Sequence, residues 1–196
     1  NNLFLHPGEK LDPLRITPRF DSFNFSEREW DTRPATDYYQ PFVARGRSLT
    51  HVGFKLATDG VDGGGPRSQN LLLSVHRQGP GVPDTWTQIG PTVVVPDVDC
   101  GGPKNYSYYG GWNSGEVSLT PGETYAVRLR AETPGNSFQA FWSQASDAAR
   151  ACYRIGAGHT GFTNRSLWMA IATDGDGLLI PFNKRVHKQF GAFAGF

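Results

Sequence analysis

Between residues 105 and 113 the chain reads Asn105-Tyr106-Ser107-Tyr108-Tyr109-Gly110-Gly111-Trp112-Asn113. Sugars present flat, weakly apolar C–H faces that stack on Tyr and Trp rings. Their hydroxyls hydrogen-bond to Asn, Asp and Arg. Tyr106, Tyr108, Tyr109 and Trp112, with Asn105 beside them, supply both kinds of contact. Trp86, placed just after a turn, adds a further candidate ring. The same residue types also make protein interfaces or close one end of a core. The sequence leaves all three readings open.

Other chemistry is sparse. Acidic residues beside glycine in Asp59-Gly60-Val61-Asp62, Asp97-Val98-Asp99 and Asp174-Gly175-Asp176-Gly177 suit a structural calcium ion, which takes oxygen ligands on flexible turns. Asp174 and Asp176 are the best-spaced candidates. Counted from Asp174, however, Arg185 stands where an EF-hand loop needs its bidentate Glu, and Asp-Gly is also ordinary turn chemistry. No other cofactor is implied. His6, His51, His76, His159 and His187 are far apart in sequence and form no zinc-ligand pair. There is no nucleophile elbow, phosphate loop or dinucleotide fingerprint. A hydrolase or lyase built from dispersed acids remains a third reading, because two catalytic carboxylates can be distant in sequence. The expectation is a non-catalytic chain.

Composition narrows the partners. The 196 residues carry a net charge of +1, which gives no electrostatic support to nucleic-acid binding. The cations are fourteen Arg against five Lys, which favours planar, bidentate or stacked contacts. No membrane-spanning run or leader stands out, and a start at Asn1 fits a processed mature chain. Cys100 and Cys152 are the two cysteines, and a pair in such a chain predicts one disulfide outside the cytosol. Sequons begin at Asn24, Asn105 and Asn164. Together these lead to the expectation of an extracellular or cell-surface protein.

The elements that must hold these residues read as strands. Pro121-Gly122 sets a tight turn, and the run after it alternates: Tyr125, Val127, Leu129 and Ala131 on one face, Ala126, Arg128 and Arg130 on the other. Further strands are predicted at 38–44, 49–57, 70–77, 86–95, 115–119, 137–143 and 166–173. A long loop is predicted over 96–114 and a short helix over 146–155, capped by Ser146. Gly and Pro, 24 and 14 residues, are scattered as turn-formers. The fold expected is an all-β antiparallel sandwich, jelly-roll-like. It spans 36–183, between an irregular arm over 1–35 and a basic, aromatic tail over 184–196. Arg128 and Arg130 share an outward face, which is either solvated or an anion or uronate site.

Gln40-Pro41-Phe42-Val43-Ala44, Leu49 to Leu56, Leu73-Ser74-Val75 before Gly79-Pro80-Gly81, and Leu119 to Tyr125 resemble the jelly-roll accessory modules of secreted bacterial proteins. These are galactose-binding-like and carbohydrate-binding modules. The resemblance spans about residues 38–131 and rests on turn-and-strand grammar. It implies a non-catalytic, extracellular setting with a polysaccharide or glycan as partner. The alternative is a structural subunit of an extracellular fibre or surface layer. Copies would then join through the arm, or through a tail strand carrying Phe190, Phe193 and Phe196, because sheet edges offer unpaired backbone groups.

Overall fold

A computed structural model describes residues 19–22, 29–30, 35–56, 68–100, 106–144, 151–156, 158–167, 169–173 and 188–190. The described residues form an all-β sandwich. In chain order the strands are β1 (Arg19–Ser22), β2 (Glu29–Trp30), β3 (Asp37–Val43), β4 (Leu49–Lys55), β5 (Ser68–Arg77), β6 (Thr87–Asp99) and β7 (Tyr106–Gly111). They continue with β8 (Thr124–Ala131), β9 (Phe141–Gln144), β10 (Tyr153–Gly156), β11 (His159–Phe162), β12 (Arg165–Leu167), β13 (Met169–Thr173) and β14 (Lys188–Phe190). One sheet has the order β11-β10-β3-β8-β5-β6 and another β1-β13-β4-β7-β14; β12-β9-β2 form a smaller third sheet. The chain crosses between the two large sheets from β3 to β4, β4 to β5, β6 to β7 and β7 to β8, and every pairing is antiparallel.

Alternation drives the packing. Tyr125, Val127 and Leu129 of β8 point inward with Leu71, Leu73 and Val75 of β5, as the period of two requires. Val52 and Phe54 of β4, Tyr108 of β7, and Met169 and Ile171 of β13 meet them from the opposing sheet. The turn before β8 forms as expected: Gly122 adopts φ 87°, and its N–H donates to the Ala44 carbonyl at 2.8 Å. The polar side chain of Gln40 lies buried among these apolar ones and is satisfied. Gln40 donates to the Pro41 carbonyl and accepts from the Leu167 N–H at 2.7 Å, tying β3 to β12.

Edge strand β6 carries its own protection against further pairing. Its register against β5 shifts twice, which places extra residues near Pro91 and near Pro96-Asp97. Asp97 has φ 51°, and the two prolines lack an N–H to offer.

Three expectations need correction, besides the strand expected over 115–119, which is a turn with one isolated bridge from Ser118 to Ser48. Residues 96–114 are not one loop: β6 runs to Asp99 and β7 occupies 106–111. The Gly110-Gly111 pair reads as a loop signal, but Gly110 is needed because the opposing sheet comes close. A Cβ there would overlap Leu73 Cδ1. The helix expected over 146–155 is absent from its described part. Tyr153–Gly156 is a strand that pairs with β3 and β11, and Ser146 lies outside the described residues.

The third correction is the disulfide, since Cys100 and Cys152 are both free thiols. Cys100 follows β6 and Cys152 precedes β10, with β5, β8 and β3 between those strands. Four interstrand spacings amount to roughly 19 Å, far beyond the reach of an S–S bridge. Cys152 is instead fully buried in the core. The half-buried Cys100 accepts a 3.4 Å hydrogen bond from Gln69 Nε2.

Candidate functional site

The aromatic segment first expected to meet a ligand is turned inward. Trp112 has no exposed surface, and its indole N–H donates to the Pro91 carbonyl at 2.7 Å. Tyr108 is equally buried. It stacks on Phe54 with centroids 5.8 Å apart, and its hydroxyl accepts from the Asp99 N–H at 2.9 Å. These two rings are core, the third of the readings the sequence left open. Trp86 is buried as well, and its Nε1–H donates to the Gly81 carbonyl. Tyr109 faces the other way and is half-buried, and burial raises its hydroxyl pKa. Tyr106 opens β7 opposite Phe190. Asn105, Asp174, Asp176, Phe193 and Phe196 lie outside the described residues.

The outer face of the six-stranded sheet brings together residues that the linear sequence scatters. Register places Phe162 beside Tyr153, Tyr153 beside Tyr39, and Tyr39 beside Arg128. The rings meet edge to face: Phe162–Tyr153 at 5.2 Å, Tyr153–Tyr39 at 6.2 Å, Tyr39–His76 at 5.4 Å. The Arg128 guanidinium caps the Tyr39 ring at 5.2 Å. A single 3₁₀ turn, Pro83–Thr85, touches β3 on this side, and Trp86 just after it packs with Tyr39 and Tyr153. Tyr39 and Tyr153 are therefore covered, whereas Phe162 at the far end is 50% exposed.

A second row runs parallel, one pleat along. It reads Thr160, Ile155, Asp37, Arg130, Leu72 and Val94, each directly opposite the next across five strand pairs. Thr160 and Val94 are exposed, Ile155, Arg130 and Leu72 are partly exposed, and Asp37 is mostly covered. The result is an open strip of mixed apolar and polar side chains with Phe162 at one side.

Electrostatics within the strip are specific. Asp37 Oδ1 accepts from Arg128 Nε at 2.7 Å and also contacts its terminal nitrogen, while Asp37 Oδ2 accepts from Thr36 Oγ1 at 2.9 Å. The directly opposite cation, Arg130, is not the one Asp37 takes. Burial pushes the Tyr39 hydroxyl up to about 12, with Arg128 opposing and Asp37 adding to the rise. Burial, with Asp84 in support, raises Tyr153 too. Burial also lowers the His76 pKa, so the ring is neutral near pH 7.

A serine–histidine pair lies underneath. Ser74 Oγ is 3.1 Å from His76 Nε2, and His76 Nδ1 is 3.1 Å from the Trp86 carbonyl. A carbonyl only accepts, so Nδ1 carries the proton and Nε2 accepts from Ser74. Nucleophile, base and orienting group are thus in hydrogen-bond reach, the first geometric requirement for acyl chemistry. Yet Ser74 and His76 are only 4% and 5% exposed, and the pair holds the 3₁₀ segment onto the sheet.

Among the described residues no group of three His, Cys, Asp or Glu side chains could hold a metal ion, and no helix is long and apolar enough to cross a membrane. Sequence reading located Arg128 and Arg130 on their outward face but missed Phe162, Tyr153, Ile155 and Asp37 as their companions. Only the order of strands across the sheet makes them neighbours. The chain matches no model of a known protein family, and comparison with curated proteins returns no match.

Proposed function

We propose that this chain is a non-catalytic β-sandwich module of the extracellular space or cell surface that binds carbohydrate, using the outer face of its six-stranded sheet. The observation that carries the reading is Phe162. It is a half-exposed ring fixed at the end of an aromatic ladder, beside an open strip of mixed apolar and hydrogen-bonding side chains. A pyranose offers the matching surface: a C–H face for the ring and hydroxyls for Thr160 and Arg130. The free thiols withdraw the disulfide as an argument for export. What supports an exported chain is the sequon at Asn164, which sits exposed between β11 and β12. Affinity electrophoresis through gels carrying neutral and acidic polysaccharides tests the proposal. Retardation that is lost in Phe162→Ala, with unchanged melting, is expected. Free migration through every polysaccharide overturns it.

A second reading is an assembly subunit, and one observation favours it. The tail segment Lys188–Phe190 forms the outermost strand of the five-stranded sheet and pairs with β7 over three residues. A strand held so briefly at an edge can be exchanged for the same strand of another copy. Sedimentation should then show concentration-dependent association that disappears on truncation after Asn183. A monomer at all concentrations, with or without the tail, rejects this reading.

A further inference from the structure

We infer that the glycan taken by this face is acidic, a uronate-containing chain, and that Arg130 is its carboxylate anchor; the inference rests on the carbohydrate-binding reading above. The acidic groups nearest Arg130 are already satisfied. Asp37 lies directly opposite Arg130, yet both its oxygens are engaged by Arg128 and Thr36. Glu132, two residues along from Arg130, accepts from Asn70 Nδ2 at 2.8 Å. Among the described residues the Arg130 side chain makes no hydrogen bond or ion pair, and the residue is partly exposed.

Neighbours narrow what can fill that gap. Leu72 and Arg130 stand side by side, as do Leu72 and Val94, so the Arg130 position lies between apolar residues on one side and the closed Asp37–Arg128 ion pair on the other. Partial desolvation of this kind strengthens a charge-assisted hydrogen bond relative to open water. A guanidinium presents a planar fork that matches a carboxylate in two parallel bonds. Phe162 lies three strands away, on the order of 14 Å across the sheet. The ring and the cation therefore bracket a length of chain rather than a single sugar. A linear uronate polymer supplies both requirements: a C–H face for Phe162 and, further along, a carboxylate for Arg130. Thr160 and the edge of the Asp37–Arg128 pair lie between or beside them on the same face.

The experiment uses the full chain with three probes in affinity gels: polygalacturonate, the same polymer with its carboxyls methyl-esterified, and a neutral β-glucan. The expected result is strong retardation by polygalacturonate, weakened by esterification and by added salt. Arg130→Gln should weaken binding to polygalacturonate about tenfold. Arg130→Lys should restore part of it, and Glu132→Gln should strengthen it by removing a nearby like charge. Melting curves that match wild type show that the variants are folded. Retention by the neutral glucan that depends on Phe162 but not on Arg130 overturns this inference while leaving the module reading standing. Equal binding of the acid and its ester does the same. Free migration past all three probes removes both.

Discussion

Trp112 separates a core role from a binding role within one side chain. It has no exposed surface, lies among residues of both sheets, and gives its indole N–H to the Pro91 carbonyl at 2.7 Å. Replacement by Phe keeps most of the apolar volume but deletes that donor. The Pro91 oxygen then loses its partner, which costs about 1–3 kcal/mol, and the smaller ring adds a modest packing loss. A total near 2–3 kcal/mol corresponds to a melting temperature lower by about 5–10 °C in a chain of this size. Trp112→Ala should cost about 3–5 kcal/mol, a large part of the stability of an ordinary domain. Differential scanning fluorimetry and urea titration read both variants, and affinity electrophoresis of Trp112→Phe below its transition reads glycan binding. Retained binding with lowered melting is expected. A Trp112→Phe protein that melts within about 1 °C of wild type yet has lost its ligand would refute the burial argument outright.

Gly110→Ala should destabilise by about 1–3 kcal/mol, visible as a lower urea midpoint, because its methyl group would press on Leu73 of the opposing sheet; an unchanged midpoint would mean that the sheets are further apart than described. His51 is held neutral by burial, its pKa lowered from 6.5 to about 4. The unfolded chain takes up a proton as pH falls through 6.5 and the folded chain does not. Stability is therefore complete above pH 6.5, declines below it, and levels near pH 4, with a loss of up to about 3 kcal/mol from this group and the same sign from His76. Urea midpoints measured from pH 7.5 to 4 should fall accordingly, and His51→Asn should flatten the profile; parallel profiles would dismiss the assignment. Without reductant, two thiols per chain should react with a thiol reagent in denaturant. In the folded state reaction should be slow, since Cys152 is buried and burial pushes the Cys100 thiol up to about 11. Absence of reactive thiols in denaturant would restore the disulfide.

Local pattern settled whatever depends on neighbours in the chain. Alternation from Tyr125 to Ala131 follows from the two-residue period of a strand, and the turn at Pro121-Gly122 from the torsions those residues allow, so both are legible in the sequence and present in the structure. All-β architecture follows from many such runs separated by turn-formers. Which residues meet was decided elsewhere. Tyr106 to Trp112 has the composition of a binding loop, but the approach of the second sheet turns Tyr108 and Trp112 inward and leaves room only for glycine at 110. Tyr153 sits in a stretch with helix-compatible composition, and the open edge of β3 recruits it as a strand. Cys100 and Cys152 look like partners until strand order separates them. Phe162, Tyr153, Tyr39 and Arg128 come from four separated segments and become one surface only because β11, β10, β3 and β8 lie side by side. Side-chain period is a property of a few consecutive residues. Strand order is a property of how the whole chain buries its apolar faces, and no short stretch of sequence carries it.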